Sequence, residues 1–262
     1  MQINFSKYQG AGNDFVMIDG FAGEDYKTLS KKKIGLLCDR RFGIGADGLI
    51  VLVPASNSDF EMLYYNADGG VGSMCGNGGR CTFRFAHDLK LVGEKSDFIA
   101  SDGPHAAFLD GDGNISLQMK DVSLIEVLDD RDFVLDTGSP HYIRIVDELG
   151  EVDVISEGRA IRYNERFKEK GINVNFIQLN EKGIEVATYE RGVEDETFSC
   201  GTGVTASALV GMKLGKFQDK VNIKTRGGDL SVMAHHSHEA DHFTEVWLTG
   251  PAEFVFKGVV DI

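Results

Sequence analysis

Proline is scarce in this chain, at 4 of 262 residues; tryptophan occurs once and cysteine four times. Four cysteines are too few for a disulfide scaffold, and with no C-x-x-C pair and no zinc-ligand spacing they read as thiols of a reducing compartment. Cations are also short: 27 Lys and Arg against 41 Asp and Glu leave a formal charge of −14. That balance argues against nucleic acid and against an anionic membrane as partners, because both are bound through clustered basic residues. No run approaches the roughly 18 consecutive apolar residues of a membrane span. The start MQINFSKYQG lacks the basic and apolar regions of a signal peptide, so a cytoplasmic location is expected. What remains, 42% hydrophobic and 26% charged, is the composition of a globular protein with one large domain or two of about 130 residues.

Glycine is plentiful instead, 32 residues, about 12% against a usual 7%, and without a period it implies many tight turns and close backbone approaches. Short alternating segments recur between turn residues: INFSKYQ (3–9), DFVMID (14–19), LIVLVP (49–54), FEMLYYN (60–66), DFIASD (97–102), HAAFLD (105–110) and ISLQMK (115–120). Beyond residue 120 the same style returns in FVLDTG (133–138), HYIRIVD (141–147), NFIQLN (175–180), IEVATYE (184–190), VNIKTR (221–226), DLSVMAH (229–235) and FTEVWLTG (243–250). These predict half-buried strands. Helices are predicted over Thr28 to Arg41, entered near Asp25, over Gly76 to Leu91 and over Thr202 to Lys216. Strands outnumber helices and pair through short turns, which makes the expected class α+β with mostly antiparallel sheet.

The two halves repeat one another. In each, a strand runs into a polar glycine-containing loop, then Cys-Gly-polar-Gly, then a helix: YYNADGGVGSMCGNGGRCTFRFAHDL (64–89) and ATYERGVEDETFSCGTGVTASALVGMKLG (187–215). Asn66 precedes Cys75 by 9 residues and Glu190 precedes Cys200 by 10. Repeats this long point to duplicated domains and not to a solenoid. At a helix start the unpaired N–H groups and the dipole favour negative charge, so a thiolate and a bound carboxylate both gain there. If Cys75-Gly76-Asn77 and Cys200-Gly201-Thr202 faced each other, the two turns would hold one carboxylate with a thiol on each side of the carbon that bears it. One thiolate would take a proton from one face and the other thiol would return one to the opposite face, which is stereoinversion. Burial as small hydrophobes is the plainer reading of any free cysteine, and it is the one expected for Cys38 and Cys81. The duplicated context favours chemistry at Cys75 and Cys200.

Other signals read as structure. Gly43-Ile44-Gly45-Ala46-Asp47-Gly48 satisfies GxGxxG, but a helix precedes it and a strand follows, the reverse of the dinucleotide-binding order. His235, His236, His238 and His242 invite a metal, yet a polar hairpin tip accounts for them. Lys31, Lys32 and Lys33 read as a solvated helix face, and Trp247 as core or interface.

With these motifs in order along the chain, KYQGAGNDFVMID (7–19), GIGADG (43–48), NADG…CGNGGRC (66–81), ERG…CGTG (190–203) and LTGPAEFVFKG (248–258), the sequence resembles the diaminopimelate epimerases, pyridoxal-independent isomerases. The resemblance covers essentially the full length. It implies two pseudo-symmetric domains, each a mostly antiparallel barrel-like sheet around a central helix, with the active site in the cleft between them. The expected domains are residues 1–119 and 120–251, with the C-terminal strand 252–262 returning to the first. It further implies epimerisation of LL-2,6-diaminopimelate to meso-diaminopimelate for lysine and peptidoglycan precursors, without cofactor or metal, by a homodimer. Carried over residue by residue, Cys75 and Cys200 take the acid/base places. The N–H groups of Gly76, Asn77, Gly201 and Thr202 hold the reacting carboxylate. Asn13, Asn66, Asn173, Glu190 and Arg191 contact substrate, with Arg191 suited to the distal carboxylate, and His141 and Glu190 adjust the thiols or engage the amino group.

Three departures bear on the substrate. Ser139-Pro140-His141 stands where the family often has Asn-Pro-His, Gly48 stands where some members carry Gln, and GVEDETFS between Arg191 and Cys200 is one residue longer than the common form. Proline racemases and hydroxyproline epimerases share the two-thiol logic and are the alternative, while a phenazine-pathway isomerase relative lacks the thiols. A dithiol redox protein and a non-catalytic amino-acid-binding protein are competitors from other classes. The first would want a C-x-x-C motif, and the second needs only one cysteine context.

Overall fold

The computed structural model describes residues 2–23, 25–237 and 242–261. The chain forms two compact units, Met1–Leu117 with Gly250–Ile262, and Gln118–Thr249. The first contains β1 (Gln2–Gly10), β2 (Asn13–Asp19), α1 (Lys31–Cys38), β3 (Gly48–Val53), β4 (Phe60–Asn66), α2 (Gly76–Asp88), β5 (Lys95–Ala100), β6 (Gly103–Leu109) and β7, whose span Ile115–Gln118 ends at the boundary. The second contains β8 (Ile125–Val127), β9 (Asp132–Asp136), β10 (Pro140–Ile145), α3 (Val154–Arg162), β11 (Asn173–Asn180), β12 (Gly183–Tyr189), β13 (Glu196–Thr197), α4 (Gly201–Lys213), β14 (Lys220–Thr225), β15 (Gly228–Ser237) and β16 (His242–Gly250). The last strand, β17 (Glu253–Asp261), lies antiparallel to β1 in the first unit.

The two units have the same ladder plan. In the first, β17, β1, β2, β3, β4, β5, β6 and β7 pair in that order, antiparallel except for the parallel pairs β2–β3 and β4–β5. In the second, β8, β9, β10, β11, β12, β14, β15 and β16 pair in that order, again antiparallel except for β10–β11 and β12–β14. Each parallel pair spans a helix, as a crossover requires: α1 and α3 bridge the first such pair, and α2 and α4 the second. The fold is therefore α+β, mostly antiparallel and pseudo-symmetric.

Helix α2 packs on β1, β2, β3, β6 and β17, and α4 on β9, β10, β11, β12, β14 and β15. Both are central: α2 buries 10 of its 13 residues and α4 buries 11 of 13, and a helix buried all round is itself core. On the opposite face of the sheet Val16, Ile18, Leu49, Val51 and Val53 meet Ile34 and Leu37 of α1. In the second unit Tyr142, Val174, Phe176, Ala187 and Tyr189 meet Val154 and Ile161 of α3. Strands covered on both faces need apolar residues at successive positions, and GLIVLV of β3 is buried throughout.

The first predicted helix is shorter than expected. Asp25–Thr28 is a 3-10 turn, and α1 begins after Ser30, whose side chain accepts from Lys33 N. It stops at Asp39, whose carboxylate takes the N–H groups of Arg41 and Phe42, both at 2.7 Å. Helices α2 and α4 also end three residues before the predicted Leu91 and Lys216. Helix α3 has no forerunner in the periodicity: its nine residues VISEGRAIR bury only Val154, Gly158 and Ile161.

Candidate active site

Cys75 and Cys200 occupy the same place in the two plans, as the N-cap residues of α2 and α4, with extended backbones of φ −114°, ψ 120° and φ −119°, ψ 110°. An N-cap side chain sits against the first N–H groups of its helix, and Gly78 N donates to Cys75 Sγ at 3.4 Å. Cys75 is half-buried; Cys200 is 8% exposed, and its sulfur lies 3.4 Å from Thr202 Oγ1. The other two thiols are different in kind. Burial pushes Cys38 up to about 11 and Cys81 up to about 12, so both stay protonated and act as packing residues.

Behind Cys75 the first unit places a charged network. Asn77 Nδ2 donates to Asn13 Oδ1, and Asn13 Nδ2 donates to Asp47 Oδ2 at 3.0 Å. Asp47 and Asp14 share the Arg40 guanidinium, each at 2.7 Å, and Asp14 also pairs with the buried Lys7 at 2.8 Å. Burial alone would raise Asp14, but Arg40 and Lys7 hold its carboxyl below the ordinary value. Asp47 lies in the GxGxxG segment, where Ile44 N and Gly45 N bond Leu37 O and Ala46 N bonds Cys38 O. Those N–H groups close the end of α1, so none of the three is left to cradle a phosphate.

Behind Cys200 the second unit places a neutral network. His141 is fully buried, and burial followed by the nearby Arg191 charge pushes it down to about 3. Asn175 Nδ2 donates to His141 Nδ1 (3.0 Å) and to Tyr142 O (3.1 Å), while its Oδ1 accepts from Thr188 Oγ1 (2.9 Å). A carbonyl on one side and a hydroxyl donor on the other fix the amide, so Nδ1 accepts and Nε2 carries the imidazole proton. Nε2 lies 2.9 Å from Thr202 Oγ1 and 3.0 Å from Ser139 Oγ. Asn173 Nδ2 donates to Ser139 Oγ (3.2 Å), and its Oδ1 accepts from Arg191 N (2.9 Å).

The structure thus brings Asn13, Gly76 and Asn77 together around Cys75, and His141, Asn173, Gly201 and Thr202 around Cys200. Glu190 directly follows β12 and is half-buried. Arg191 is joined to Asn173 through its main chain, and its guanidinium donates to Lys170 O at 3.1 Å. Asn66 ends β4, exposed, and its side chain makes no hydrogen bond among the described residues. Sequence reasoning passed over Asn175, Asp47 and Arg80. The alternation N-V-N at the start of β11 was the available sign of Asn175, since it puts Asn173 and Asn175 on the face opposite Val174.

Each departure from the family pattern has a structural counterpart. Ser139 fills its place by bonding His141, Thr202 and Asn173 at once. A Cβ at Gly48 would meet the Tyr64 ring at 2.5 Å and Tyr65 O at 2.6 Å, so Tyr64 already occupies the space of a longer residue. The lengthened segment after Arg191 turns at Glu194, with φ 59°, and leads into β13, which pairs with β12 where the first unit has the isolated bridge Tyr65–Val71. Burial would raise Glu194, but Gly192 N–H and the Tyr189 hydroxyl hold its carboxyl below the ordinary value.

Among the remaining signals, Lys31 and Lys32 are exposed at the start of α1, and Trp247 is half-buried in β16. His235 and His236 end β15 and His242 opens β16, in antiparallel register. His238 lies outside the described residues. Among the described residues no group of three or more His, Cys, Asp and Glu is placed to hold a metal ion, and no helix is long and apolar enough to cross a membrane.

The fold is shared with solved proteins of the same two-unit plan. It superposes on a Bacillus anthracis phenazine biosynthesis protein of the PhzF family with a TM-score of 0.75, at 13% identity over 100% of both chains. An Agrobacterium vitis hydroxyproline epimerase, solved with bound trans-4-hydroxy-L-proline, gives 0.70 at 13% identity, covering 99% of this chain and 92% of that one. Sequence narrows this to one family. The diaminopimelate epimerase family model matches residues 5–125 and 133–255. The Flavobacterium psychrophilum diaminopimelate epimerase is 46% identical over 256 residues, 97% of this chain and 98% of that one, and the Chlorobaculum tepidum enzyme is 39% identical over 266 residues, 97% and 99%. The chain belongs to the diaminopimelate epimerase family, and the family's members are amino-acid epimerases, a class of isomerase.

Proposed function

We propose that this protein interconverts LL- and meso-diaminopimelate by two-thiol acid/base catalysis, with Cys75 and Cys200 acting on opposite sides of one α-carbon. The observation that carries the reading is the pair of cysteines at the N-cap positions of two equivalent buried helices. Each sulfur sits where N–H groups and a helix dipole stabilise an anion. The substrate carboxylate is held by the N–H groups of Gly76, Asn77, Gly201 and Thr202, which spread the charge that develops as the α-proton leaves. With its proton on Nε2, His141 donates to Thr202 Oγ1, and the threonine hydroxyl is then free to donate to the Cys200 sulfur. A neutral imidazole thereby supports a thiolate without adding a charge of its own. Asn13, Asn66, Asn173, Glu190 and Arg191 serve as substrate contacts, Arg191 taking the distal carboxylate as a fork.

Each unit serves as one epimerase domain, with β17 completing the first. The protein works in the cytoplasm as a homodimer in lysine and peptidoglycan precursor synthesis. Four free cysteines agree with a reducing compartment. Phe254, Val255, Phe256 and Val259 of β17, all exposed, are apolar surface that a second copy would cover.

The test is NMR of the reduced protein with LL-diaminopimelate in deuterated water. Loss of the α-proton signal together with appearance of the meso isomer is expected. Absence of exchange, with exchange on proline or hydroxyproline instead, would transfer the protein to a sister activity.

A further inference from the structure

The reaction as described makes no use of Arg80, one of the most deeply buried large side chains in the molecule. It lies on the first turns of α2, five residues after Cys75. Nη2 donates to Asn77 Oδ1 at 2.9 Å, Nη1 reaches Gly76 O and Nε reaches Pro251 O, both at 3.4 Å. All three acceptors are neutral, and among the described residues no carboxylate pairs with it. Burial pulls the guanidinium down to about 10, and it remains charged near neutrality. An unpaired buried cation costs stability that three neutral acceptors offset only in part. The corresponding residue of α4, five after Cys200, is Thr205, whose hydroxyl bonds Gly201 O at 2.9 Å. The same carbonyl of the first turn is served by a cation in one unit and by a hydroxyl in the other.

The Arg80 contact also starts a one-way chain of donors. Arg80 donates to Asn77, Asn77 to Asn13, and Asn13 to Asp47, so both amides are held in a single orientation between a cation and a carboxylate. We infer that Arg80 is a positioning residue for the Cys75 half of the reaction: its buried guanidinium supplies a fixed positive charge that holds the Cys75 sulfur as a thiolate, and it locks the amides of Asn77 and Asn13. Five residues along α2 from Cys75, such a buried charge is poorly screened by solvent and adds to the dipole of the helix at the thiol. The inference rests on Cys75 being a working thiol.

Alkylation by iodoacetamide, followed by peptide mass spectrometry, reads each thiol separately and needs no turnover. Over about pH 5 to 10, Cys75 of the unaltered protein should reach half-maximal reactivity below the ordinary thiol value of about 8.5. Arg80→Met should move that midpoint up by about one pH unit or more, slowing Cys75 about tenfold at neutral pH, with Cys200 unmoved. Arg80→Lys, which keeps the charge and loses the fork, should restore most of the Cys75 reactivity. An unmoved Cys75 in Arg80→Met, or equal changes at Cys75 and Cys200, would overturn the inference. Should Arg80→Met not fold, the unaltered protein decides alone, since a Cys75 midpoint at or above the ordinary value overturns it as well. Failure of the proton-exchange experiment would remove the proposed reaction without touching this measurement.

Discussion

The unit that carries Cys75 sets its first helical turn among charges, Lys7, Asp14, Arg40, Asp47 and Arg80, whereas the unit that carries Cys200 backs the same turn with His141, Asn175, Thr188 and Ser139, none of them charged near neutrality, with the Arg191 charge further out. The ladder plan, the helix positions and the N-cap cysteines match; the groups behind them do not. In the proposed reaction one thiol accepts a proton while the other holds one, and unequal surroundings bias which sulfur is the thiolate in the free protein. The duplicated backbone supplies the paired places, and the residues beneath each helix supply the inequality.

The comparison breaks most severely at the sulfurs themselves. Cys75→Ala and Cys200→Ala should each lower epimerisation by about 10³-fold or more, since either removes one of the two proposed proton carriers. Circular dichroism should show the fold retained in both. Stability should separate them slightly: Cys75 caps Gly78 N, while Cys200 makes no side-chain cap bond, so Cys75→Ala costs up to about 1 kcal/mol more in a denaturant titration. Turnover near the unaltered rate in either variant would remove the two-thiol mechanism.

Acid should sharpen the comparison. His141 binds a proton at about 6.5 when unfolded but only near 3 when folded. Between those values the unfolded chain holds more protons, so stability falls as pH drops through the window and is unaffected above it. The loss amounts to at most a few kcal/mol. Asp14 behaves differently. Its folded value lies below 3.8, so its contribution persists above 3.8 and is lost only as pH falls through the folded value. Denaturant midpoints measured against pH should therefore flatten between 6.5 and 3 in His141→Gln, while Asp14→Asn leaves most of that slope in place. An unchanged slope in His141→Gln would show that the imidazole is not held neutral.

Much of this was legible in the residues, and what was not has physical reasons. The strands showed because one-residue alternation survives wherever a sheet face is covered, and the two cysteine turns showed because Cys-Gly-x-Gly before an apolar helix is a local pattern. Helix α3 did not show, because only Val154, Gly158 and Ile161 face the sheet and the rest of VISEGRAIR is polar or exposed. The end of α1 was lost to Asp39, whose side-chain bonds to the following N–H groups stop a helix that the apolar spacing would extend. Arg80, Asp47 and Asn175 were beyond local reading. Arg80 bonds Pro251, far along the chain, and Asn175 meets Gly203 and His141 only after β10, β11 and α4 have packed. A buried arginine in a helix looks in sequence like any solvated one.

The smallest effect tests how closely each network grips its helix. Gly78 and Gly203 hold the same position, three residues after the cysteine, and both are buried. A Cβ at Gly203 would fall 2.2 Å from Asn175 Oδ1 and 3.3 Å from His141 Cε1, so alanine there must displace the amide that fixes the imidazole tautomer. A Cβ at Gly78 would meet Ile50 Cδ1 at 3.3 Å and the Cys75 and Met62 side chains at 3.4 Å, which flexible side chains absorb. Gly203→Ala should therefore cost about 1–3 kcal/mol through overpacking and broken hydrogen bonds, and it should slow epimerisation with it. Gly78→Ala should be neutral or gain up to about 1 kcal/mol from helix propensity. Thermal unfolding of the two variants reads the difference directly. If Gly203→Ala proved as mild as Gly78→Ala, the amide of Asn175 would have room to move, and the neutral network behind Cys200 could not be what holds His141 in one tautomer.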